Sequence, residues 1–315
     1  MDFDGLDLNL LVALDVLLRE KSVSRAGERL HLSQSATSGA LARLRHAFHD
    51  DLLVQVGRKM TPTPLAEELI EPVRDFLLKA EAIVRTSPAF EPKTSPRRFR
   101  LMMSDYVETV LMTAALPQLQ KVAPAVTVEL VSNVEGGSEA LDRGEIDLAI
   151  APTKYLSPTH PCEHLFTDEF VCLVWSENDQ VDRTISLKTY LSLGHVVVRF
   201  GKHQQLPTFD EWFIERFTHE RKIEVVTTAF NLVPQLLIGT SRIATIHRRL
   251  ANFYQQYLPL RIVTPPVQIP PLDESMQWHT SRDRDPANKW LRDMLRGAVS
   301  GSSKSKARER RASGS

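Results

Sequence analysis

Apolar residues near the start of the chain recur every three or four positions, the spacing of an amphipathic helix. Asp7 precedes the first such stretch and is suited to cap a helix N-terminus. The pattern therefore predicts a helix that starts after Asp7 and packs inward through a leucine stripe formed by Leu10, Leu11, Leu14, Leu17 and Leu18.

A short second helix and a third helix are predicted next, and each begins at a serine that can act as its cap, Ser22 and Ser33. Their inward positions are Val23, Ala26 and Leu30 in the second helix and Thr37, Leu41, Leu44 and Phe48 in the third. The outward face of the third helix carries Gln34, Ser35, Ser38, Ala42 and Arg45. A face of small and amide side chains that ends in arginine fits the major groove of DNA.

Residues 52–60 predict a hairpin wing, because two short extended runs flank a Gly57-Arg58-Lys59 tip. We expect Arg58 and Lys59 to reach the DNA backbone. The alternative is a three-helix unit of another kind, in which these basic residues are merely solvated.

A longer helix is predicted after Thr63, which can cap it, with Pro64 at the first helical position. Its apolar positions are Ala66, Leu69, Val73, Phe76, Ala80 and Ile83. Alternating gaps of three and four favour pairing with another helix, so this element predicts a dimer, although packing on its own domain is the alternative. Pro72 should bend the helix locally, and the prolines of residues 88–96 should end it in a hinge.

The remaining chain alternates predicted strands with helices, the rhythm of an α/β domain with two lobes. The predicted strands are residues 98–103, 126–131, 146–151, 170–175, 196–200, 223–227 and 242–245. Predicted helical segments are residues 107–122, 138–143 and 281–296. Ligands of such domains bind beyond the carboxyl ends of strands, often between lobes.

Residues at those strand ends form the predicted effector site, which comprises Ser104, Asp105, Tyr106, Pro152, Thr153, Arg199, Phe200, Phe230, Asn231, Ile246, His247, Trp278 and His279. Aromatic walls with an arginine and two histidines fit a planar ligand that bears a phenol or a carboxylate. For any single aromatic residue, ordinary core packing is the alternative.

Charge restricts where nucleic acid could bind. Lys plus Arg and Asp plus Glu are 39 each, so any DNA-binding surface must be local. Residues 22–59 carry six basic and three acidic residues, a net charge of +3. Residues 301–315 are basic in a Ser/Gly background and are predicted to be disordered. With no export signal and no long apolar run, we expect a cytoplasmic protein without a membrane partner.

Other chemistry has little support in the sequence. His160, Cys162 and His164 alternate, but they supply three metal ligands at best, so no metal or cofactor is expected. Cys162 and Cys172 could form a redox switch, although isolated cysteines are more often small buried apolar residues. A hydrolase that uses Ser104, Asp105 and a histidine lacks a nucleophile motif.

Four segments together resemble the N-terminal signature of the LysR-type transcription regulators, namely residues 6–11 (LDLNLL), 30–34 (LHLSQ), 41–44 (LARL) and 51–64 (DLLVQVGRKMTPTP). Within that family, the chain is similar to the branch of nodulation regulators and naphthalene or salicylate degradation regulators. The similarity extends to about Gly297. The resemblance makes Gln34, Ser35 and Ser38 groove-facing and places Arg43, Arg58 and Thr63 near phosphates, with Ser33 and Arg45 as further expected DNA contacts.

The chain departs from the family pattern at three positions. Many members have proline at Ser35, and arginine at Gly39 and Gln55. These differences leave fewer charged DNA contacts, so they affect the operator sequence and the affinity rather than the fold.

The resemblance implies a winged helix-turn-helix in residues 1–62, a linker helix with a hinge in residues 63–95, and a regulatory domain of periplasmic-binding-protein-like (Rossmann-like) α/β fold in residues 96–300. Its first lobe would comprise residues 96–168 and 268–300, and its second lobe residues 169–267. The expected protein is not an enzyme but an activator of a catabolic or symbiosis-type operon, which responds to a small aromatic effector and acts with RNA polymerase. It would dimerise through the linker helix and assemble into tetramers. The alternative function is storage or delivery of a small molecule.

Overall fold

The computed structural model describes residues 7–57, 59–84, 90–132, 137–182, 184–200, 206–217 and 221–312. The chain divides into two compact units, Met1–Pro88 and Ala89–Ser315. Each unit is described here by itself.

The first unit consists of helices α1 (Asn9–Glu20), α2 (Val23–Leu30) and α3 (Gln34–Phe48), strands β1 (Leu53–Val56) and β2 (Lys59–Pro62), and the longer helix α4 (Pro64–Val84). The predicted serine caps are confirmed, because Ser22 Oγ accepts a hydrogen bond from Arg25 N (3.4 Å) and Ser33 Oγ accepts one from Ala36 N (3.2 Å). Asp7 is not the cap residue of α1; that position is Leu8, while Asp7 Oδ1 accepts from Asn9 N at 3.0 Å.

The predicted leucine stripe of α1 is buried, and α1 packs on α2, α3 and α4. Leu14, Leu17 and Leu44 are fully enclosed. Burying a leucine side chain contributes roughly 1.5–3 kcal/mol, so this cluster accounts for much of the stability of the unit.

Strands β1 and β2 form the predicted hairpin, with Val56 paired to Lys59 across a two-residue turn. Gly57 has a φ of +62°, a conformation that glycine adopts without a steric penalty and that tight hairpins need. The second turn residue, Arg58, lies outside the described residues.

Helix α4 begins as predicted, with Thr63 Oγ1 accepting from Ala66 N at 3.2 Å, and Pro72 lies inside it. The apolar stripe divides into two parts. Ala66, Leu69 and Val73 pack in the core of the first unit, the alternative that the sequence left open, whereas Phe76 and Ile83 are 37% and 74% exposed.

The second unit contains two five-stranded mixed sheets, which we define as its two lobes. The sheet of the first lobe has the order β4-β3-β5-β12-β6, with β3 (Arg98–Met103), β4 (Thr127–Ser132), β5 (Leu148–Pro152), β6 (Cys162–Asp168) and β12 (Leu272–Gln277). Strand β3 is parallel to β4 and β5, whereas β12 is antiparallel to its neighbours. The helical segments of this lobe are α5 (Asp105–Val107), a π-helical turn (Glu108–Met112), α6 (Thr113–Val122), α7 (Gly137–Asp142) and α11 (Pro286–Ala312).

The sheet of the second lobe has the order β11-β7-β10-β8-β9. Its elements are β7 (Phe170–Trp175), α8 (Leu187–Ser192), β8 (Gly194–Val198), α9 (Thr208–Arg216), β9 (Lys222–Thr227), β10 (Ile243–His247), α10 (Arg248–Tyr254) and β11 (Leu260–Val263). The chain enters this lobe between β6 and β7 and returns between β11 and β12, so two crossings join the lobes.

Several predicted boundaries are wrong. Strand β10 extends to His247, so Ile246 and His247 lie within the strand rather than after it, and β8 ends at Val198. The last helix begins at Pro286 rather than at 281, since Asp285 Oδ1 accepts from Ala287 N (2.9 Å) and proline suits the first helical position.

The prediction of disorder for residues 301–315 is wrong over residues 301–312, where the backbone continues α11 to Ala312. Extending an existing helix fixes one residue per added hydrogen bond and avoids the cost of nucleation. Alanine, lysine and arginine in this segment also have good helix propensity. None of the helices in the described part of the chain is both long enough and apolar enough to cross a bilayer.

Candidate functional site

Helix α3 presents the predicted recognition face in the first unit. Gln34, Ser35 and Ser38 are exposed, and Ser33 caps the helix while its hydroxyl lies 3.0 Å from that of Ser35. The opposite face is fixed by Thr37, which is fully buried and donates to Ser33 O at 3.0 Å. The amide and hydroxyl groups that could contact bases are therefore held on a rigid, packed helix.

A glycine missed by the sequence analysis explains how closely α2 approaches α3. A Cβ atom at Gly27 would lie 3.0 Å from both Leu32 O and Thr37 Oγ1, tighter than ordinary contacts. A small residue at this position of α2, beside the turn between the helices, was the signal that could have revealed it.

Arg45 does not belong to the exposed face of α3, where the sequence analysis placed it, and its DNA contact stays a prediction. It is half-buried, and its guanidinium donates to Asp51 O and to Leu53 O, both at 2.8 Å. These bonds tie α3 to the start of β1. Arg43 is exposed on α3, as the resemblance implied.

Of the two basic residues predicted to contact DNA from the wing, one can be located. Lys59 is exposed at the start of β2, whereas Arg58 cannot be placed because it lies outside the described residues. The Thr63 hydroxyl donates to Asp50 Oδ1 at 2.6 Å and also accepts the N–H of Ala66, so it acts as a cap.

The second candidate site lies where the two lobes meet, around Tyr106. This tyrosine lies in α5 of the first lobe and is 1% exposed. Its ring stacks on His247 of the second lobe, with ring centroids 3.8 Å apart and an interplanar angle of 11°. Phe230, also from the second lobe, meets the same ring edge-on at 6.2 Å and contacts Phe200 at 5.4 Å. Four of the predicted ring residues, Tyr106, Phe200, Phe230 and His247, thus form one cluster.

Asp168, at the end of β6, anchors the phenol of Tyr106. Tyr106 Oη donates to Asp168 Oδ2 at 2.6 Å, and the backbone N–H groups of Glu169 and Arg249 also donate to this carboxylate. Burial and the neighbouring Asp168 carboxylate raise the pKa of Tyr106 well above its usual value, so the phenol keeps its proton.

A second buried acid, Glu274 of β12, lies close enough to influence both groups. Burial and the nearby Asp168 raise the pKa of Glu274 to about 8. Its Oε2 has no hydrogen-bond partner among the described residues. His247 is the complementary case, because burial lowers its pKa to about 3 and leaves a neutral ring.

Direct contacts close the lobes on each other. Asp105 Oδ2 accepts from Asn231 N at 2.7 Å, and Thr109 donates to Asn231 Oδ1 at 2.9 Å. Glu211 of α9 accepts from Lys154 at 2.6 Å and from Tyr155 at 2.7 Å. Together with the Tyr106 cluster, these contacts hold the lobes together through polar groups that ligand binding could rearrange.

A small pocket adjoins this cluster within the second lobe. Phe230, Ile246 and His247 line it together with Asp210 and Arg221. Asp210 is buried and accepts hydrogen bonds from Arg221, and Arg199 lies 3.3 Å away. The free interior is about the size of one water molecule, far below that of an aromatic ring.

Ser104, Pro152 and Thr153 occupy the strand ends where they were predicted. Ser104 caps α5, accepting from Val107 N at 3.3 Å. Thr153 lies 2.7 Å from the Ser275 hydroxyl, and Pro152 pairs with Glu274 in the sheet. Pro152 and Thr153 thus lie beside the β12 segment that carries the buried Glu274.

Trp278 and His279 do not join the aromatic cluster around Tyr106, so the structure does not bring this part of the predicted site together with the rest. Trp278 Nε1 donates to Asp283 at 3.0 Å, and the Arg292 guanidinium lies 3.6 Å from the centre of its ring. His279 packs against His160. Trp278 and His279 follow directly after β12, and the contacts of both rings are made within the first lobe.

Metal and redox chemistry gain no support from the described residues, in which no group of three or more potential ligands could hold a metal ion. His160 Nε2 lies 2.6 Å from Asp142, and His164 lies beside Thr167. Cys162 is exposed and Cys172 is buried, and both are free thiols. Burial raises the pKa of Cys172 to about 12, which makes its thiol unreactive.

Comparison with known families identifies the class to which both sites belong. Residues 8–67 match the model of the bacterial regulatory helix-turn-helix protein, lysR family, and residues 93–300 match the LysR substrate binding domain. The chain therefore belongs to the LysR family and is a transcription regulator with a DNA-binding head and an effector-binding domain, not an enzyme.

Among curated relatives, the chain is 41% identical over 295 residues to Nodulation protein D 1 of Bradyrhizobium elkanii, with 94% of each protein covered. It is also 41% identical to Nodulation protein D 2 of Rhizobium tropici, with coverage of 94% of the chain and 93% of the relative.

Solved structures agree on the fold. A probable transcriptional regulator from Pseudomonas aeruginosa is 27% identical with a TM-score of 0.62, covering 93% of this chain and 97% of that one. A full-length OxyR variant from the same species has a TM-score of 0.70 at 17% identity, covering 93% and 95%.

Proposed function

We propose that this protein regulates transcription in response to a small aromatic effector that binds between the lobes of its second unit. The cluster of Tyr106, His247, Phe230 and Phe200 carries this proposal. It combines ring faces with a buried carboxylate at the junction of two lobes, the place where ligands of such domains bind. Ser104, Asp105, Pro152, Thr153, Arg199, Asn231 and Ile246 complete the proposed site.

A ligand screen tests the effector proposal. We expect one class of ring compound, from a panel of substituted phenols, benzoates, salicylate and flavonoids, to raise the unfolding temperature of the full-length protein. Phe230→Leu should abolish the shift. Phe99→Leu, a buried ring change in the core of β3, should keep it. A panel without any hit, or a hit that Phe230→Leu retains, would remove the proposal.

We propose further that Gln34, Ser35 and Ser38 contact base edges and that Arg43, Lys59 and Arg58 contact phosphates. The exposed polar face of α3 beside a wing supports these roles. A solved relative, CbnR, is described in complex with its target DNA; it is 15% identical with a TM-score of 0.51, covering 93% of this chain and 99% of that one, a likeness of fold alone.

The similarity to nodulation proteins supports the proposal that the target is a symbiosis-type or catabolic operon, activated together with RNA polymerase. We also propose a homodimer through α4, which can pair into tetramers, because Phe76 and Ile83 remain exposed on the apolar stripe.

A further inference from the structure

Tyr106 fills the place that the proposed aromatic effector would need. Its ring lies between His247, Phe230 and Phe166, and its hydroxyl is bound by Asp168. This side chain is itself a planar phenol. It is supplied by the first lobe, whereas His247 and Phe230 belong to the second.

Among the residues that the structure describes, little room is left for a second ring. The adjoining pocket, which shares His247 and Phe230 with the cluster, has space for about one water molecule. Protein interiors are close-packed and do not admit an added ring without moving another group. An aromatic effector at this site must therefore displace a side chain already there.

The elements around Tyr106 suit it for that displacement. It lies in the first turn of the continuous helical segment of residues 105–122, after the cap Ser104 and directly before the π-helical turn Glu108–Met112. Single π-helical turns occur frequently at functional sites. Phe166 and His247 instead lie in the strands β6 and β10, and Phe230 begins the 3-10 helical turn Phe230–Leu232.

The hydrogen-bonding groups define which ligand could replace the phenol. Asp168 already accepts two backbone N–H groups, and a hydroxyl completes its set. The buried carboxyl of Glu274 lies nearby, with one oxygen that lacks a partner among the described residues. A ligand carboxylate in this place would lie within hydrogen-bond distance of the Asp168 carboxylate, and like charges in a buried site repel strongly.

We propose that Tyr106 is a built-in occupant of the effector site, and that an effector carrying an aromatic hydroxyl takes its place, stacking on His247 and donating its hydrogen bond to Asp168. The inference rests on the proposed function. It selects hydroxyl donors over carboxylates and makes displacement of Tyr106 the event that changes the contact between the lobes.

A cavity experiment tests the exchange directly. In full-length Tyr106→Gly, 4-methylphenol, which reproduces the missing side chain including its Cβ carbon, should bind saturably by calorimetry and raise the unfolding temperature. Toluene should bind at least tenfold more weakly, because hydrogen bonds to charged groups contribute roughly 1.5–3 kcal/mol. The larger, negatively charged 4-methylbenzoate should show no binding. Equal binding of 4-methylbenzoate, or no 4-methylphenol binding by the folded variant, would overturn the proposal.

A second variant keeps the test decisive even if Tyr106→Gly does not fold. Tyr106→Phe retains the ring but loses the bond to Asp168, so it should be displaced more easily. We expect 4-methylphenol to bind roughly tenfold more tightly to Tyr106→Phe than to the wild-type protein. If Tyr106 were only a wall of the site, the affinity would be unchanged or lower, and that result would refute the exchange.

The two proposals can fail separately. The ligand panel with Phe230→Leu decides whether an effector site exists, because it uses the wild-type residue at position 106. A panel hit combined with negative results for both Tyr106 variants would leave the regulator intact and remove only the exchange.

Discussion

At the scale of single residues, the buried titratable groups of the second unit make stability depend on pH in opposite directions. Glu274 has a pKa raised to about 8 by burial, whereas the pKa values of His195 and His247 are lowered to about 4 and about 3 by the same cause. Each group is held in its neutral form. The acid therefore favours folding at lower pH and the histidines favour it at higher pH.

Replacing Glu274 with glutamine should isolate one of these effects. Between its ordinary value near 4.5 and about 8, folded Glu274 retains a proton that the unfolded chain releases, so stability is lost as pH rises through this window. The loss is about 1.4 kcal/mol per pH unit. Denaturant unfolding at pH 5, 6, 7 and 8 should show that the free energy of unfolding of Glu274→Gln, relative to that of the wild type, increases as the pH rises. Exposed Glu215→Gln is the control. Parallel pH profiles for all three proteins would contradict this account.

On helix α3, two exposed residues should affect DNA binding differently. Gln34→Ala should lose about 1–3 kcal/mol of discrimination between a selected duplex and a scrambled one, since an amide can read base edges. Arg43→Ala should weaken both duplexes alike and reduce the salt dependence. Fluorescence anisotropy at two salt concentrations measures both effects. The same loss of discrimination in both variants would refute this assignment.

Sequence reasoning found the residues whose position follows from a local pattern, such as the caps Ser22 and Ser33 and the strand-end residue Ser104. It missed Asp168, although this residue also ends a strand, because the boundary of β6 was not predicted. It assigned Arg45 to DNA, since periodicity cannot show that a guanidinium turns back to backbone carbonyls. Such contacts depend on tertiary structure.

At the scale of elements, α4 shows how one apolar repeat can serve two purposes. Its first part, including Ala66 and Val73, is buried in its own unit, and its later positions Phe76 and Ile83 are exposed. The sequence repeat is continuous, so it could not reveal where the packing partner changes. Exposed apolar residues on a regular stripe are typical of a contact with a second helix.

Ile83→Glu should therefore weaken the proposed dimer at least tenfold, because a buried, unpaired carboxylate is costly in an apolar seam. Sedimentation equilibrium across a concentration series measures the effect. Lys79→Glu places the same side chain on an exposed position of α4 off the stripe and should leave the mass unchanged. If Ile83→Glu keeps the wild-type association constant, α4 does not form the contact proposed here.

At the scale of the whole second unit, the two lobes are joined by two chain crossings and by side-chain contacts that cross between them. A ligand can shift such a system only by binding one arrangement of the lobes better than another. The coupling to a distant site is typically about 1–3 kcal/mol. Contacts that contribute a similar free energy, such as those of Asn231, can therefore determine which arrangement of the lobes is more populated.

Asn231→Ala removes the amide that accepts from Thr109 and donates to Asp105 O. Because a typical hydrogen bond contributes about 0.5–1.5 kcal/mol net, its loss should raise the population of separated lobes several-fold without unfolding either sheet. Hydrogen exchange should then accelerate in α5 and at the end of β10, while the centre of β7 stays protected. Asn252→Ala, in α10 of the same lobe, should leave exchange unchanged. If Asn231→Ala also leaves these amides as protected as in the wild type, the lobes are held by the Tyr106 cluster and the Glu211 contacts instead, and displacement of Tyr106 becomes the step that an effector must drive.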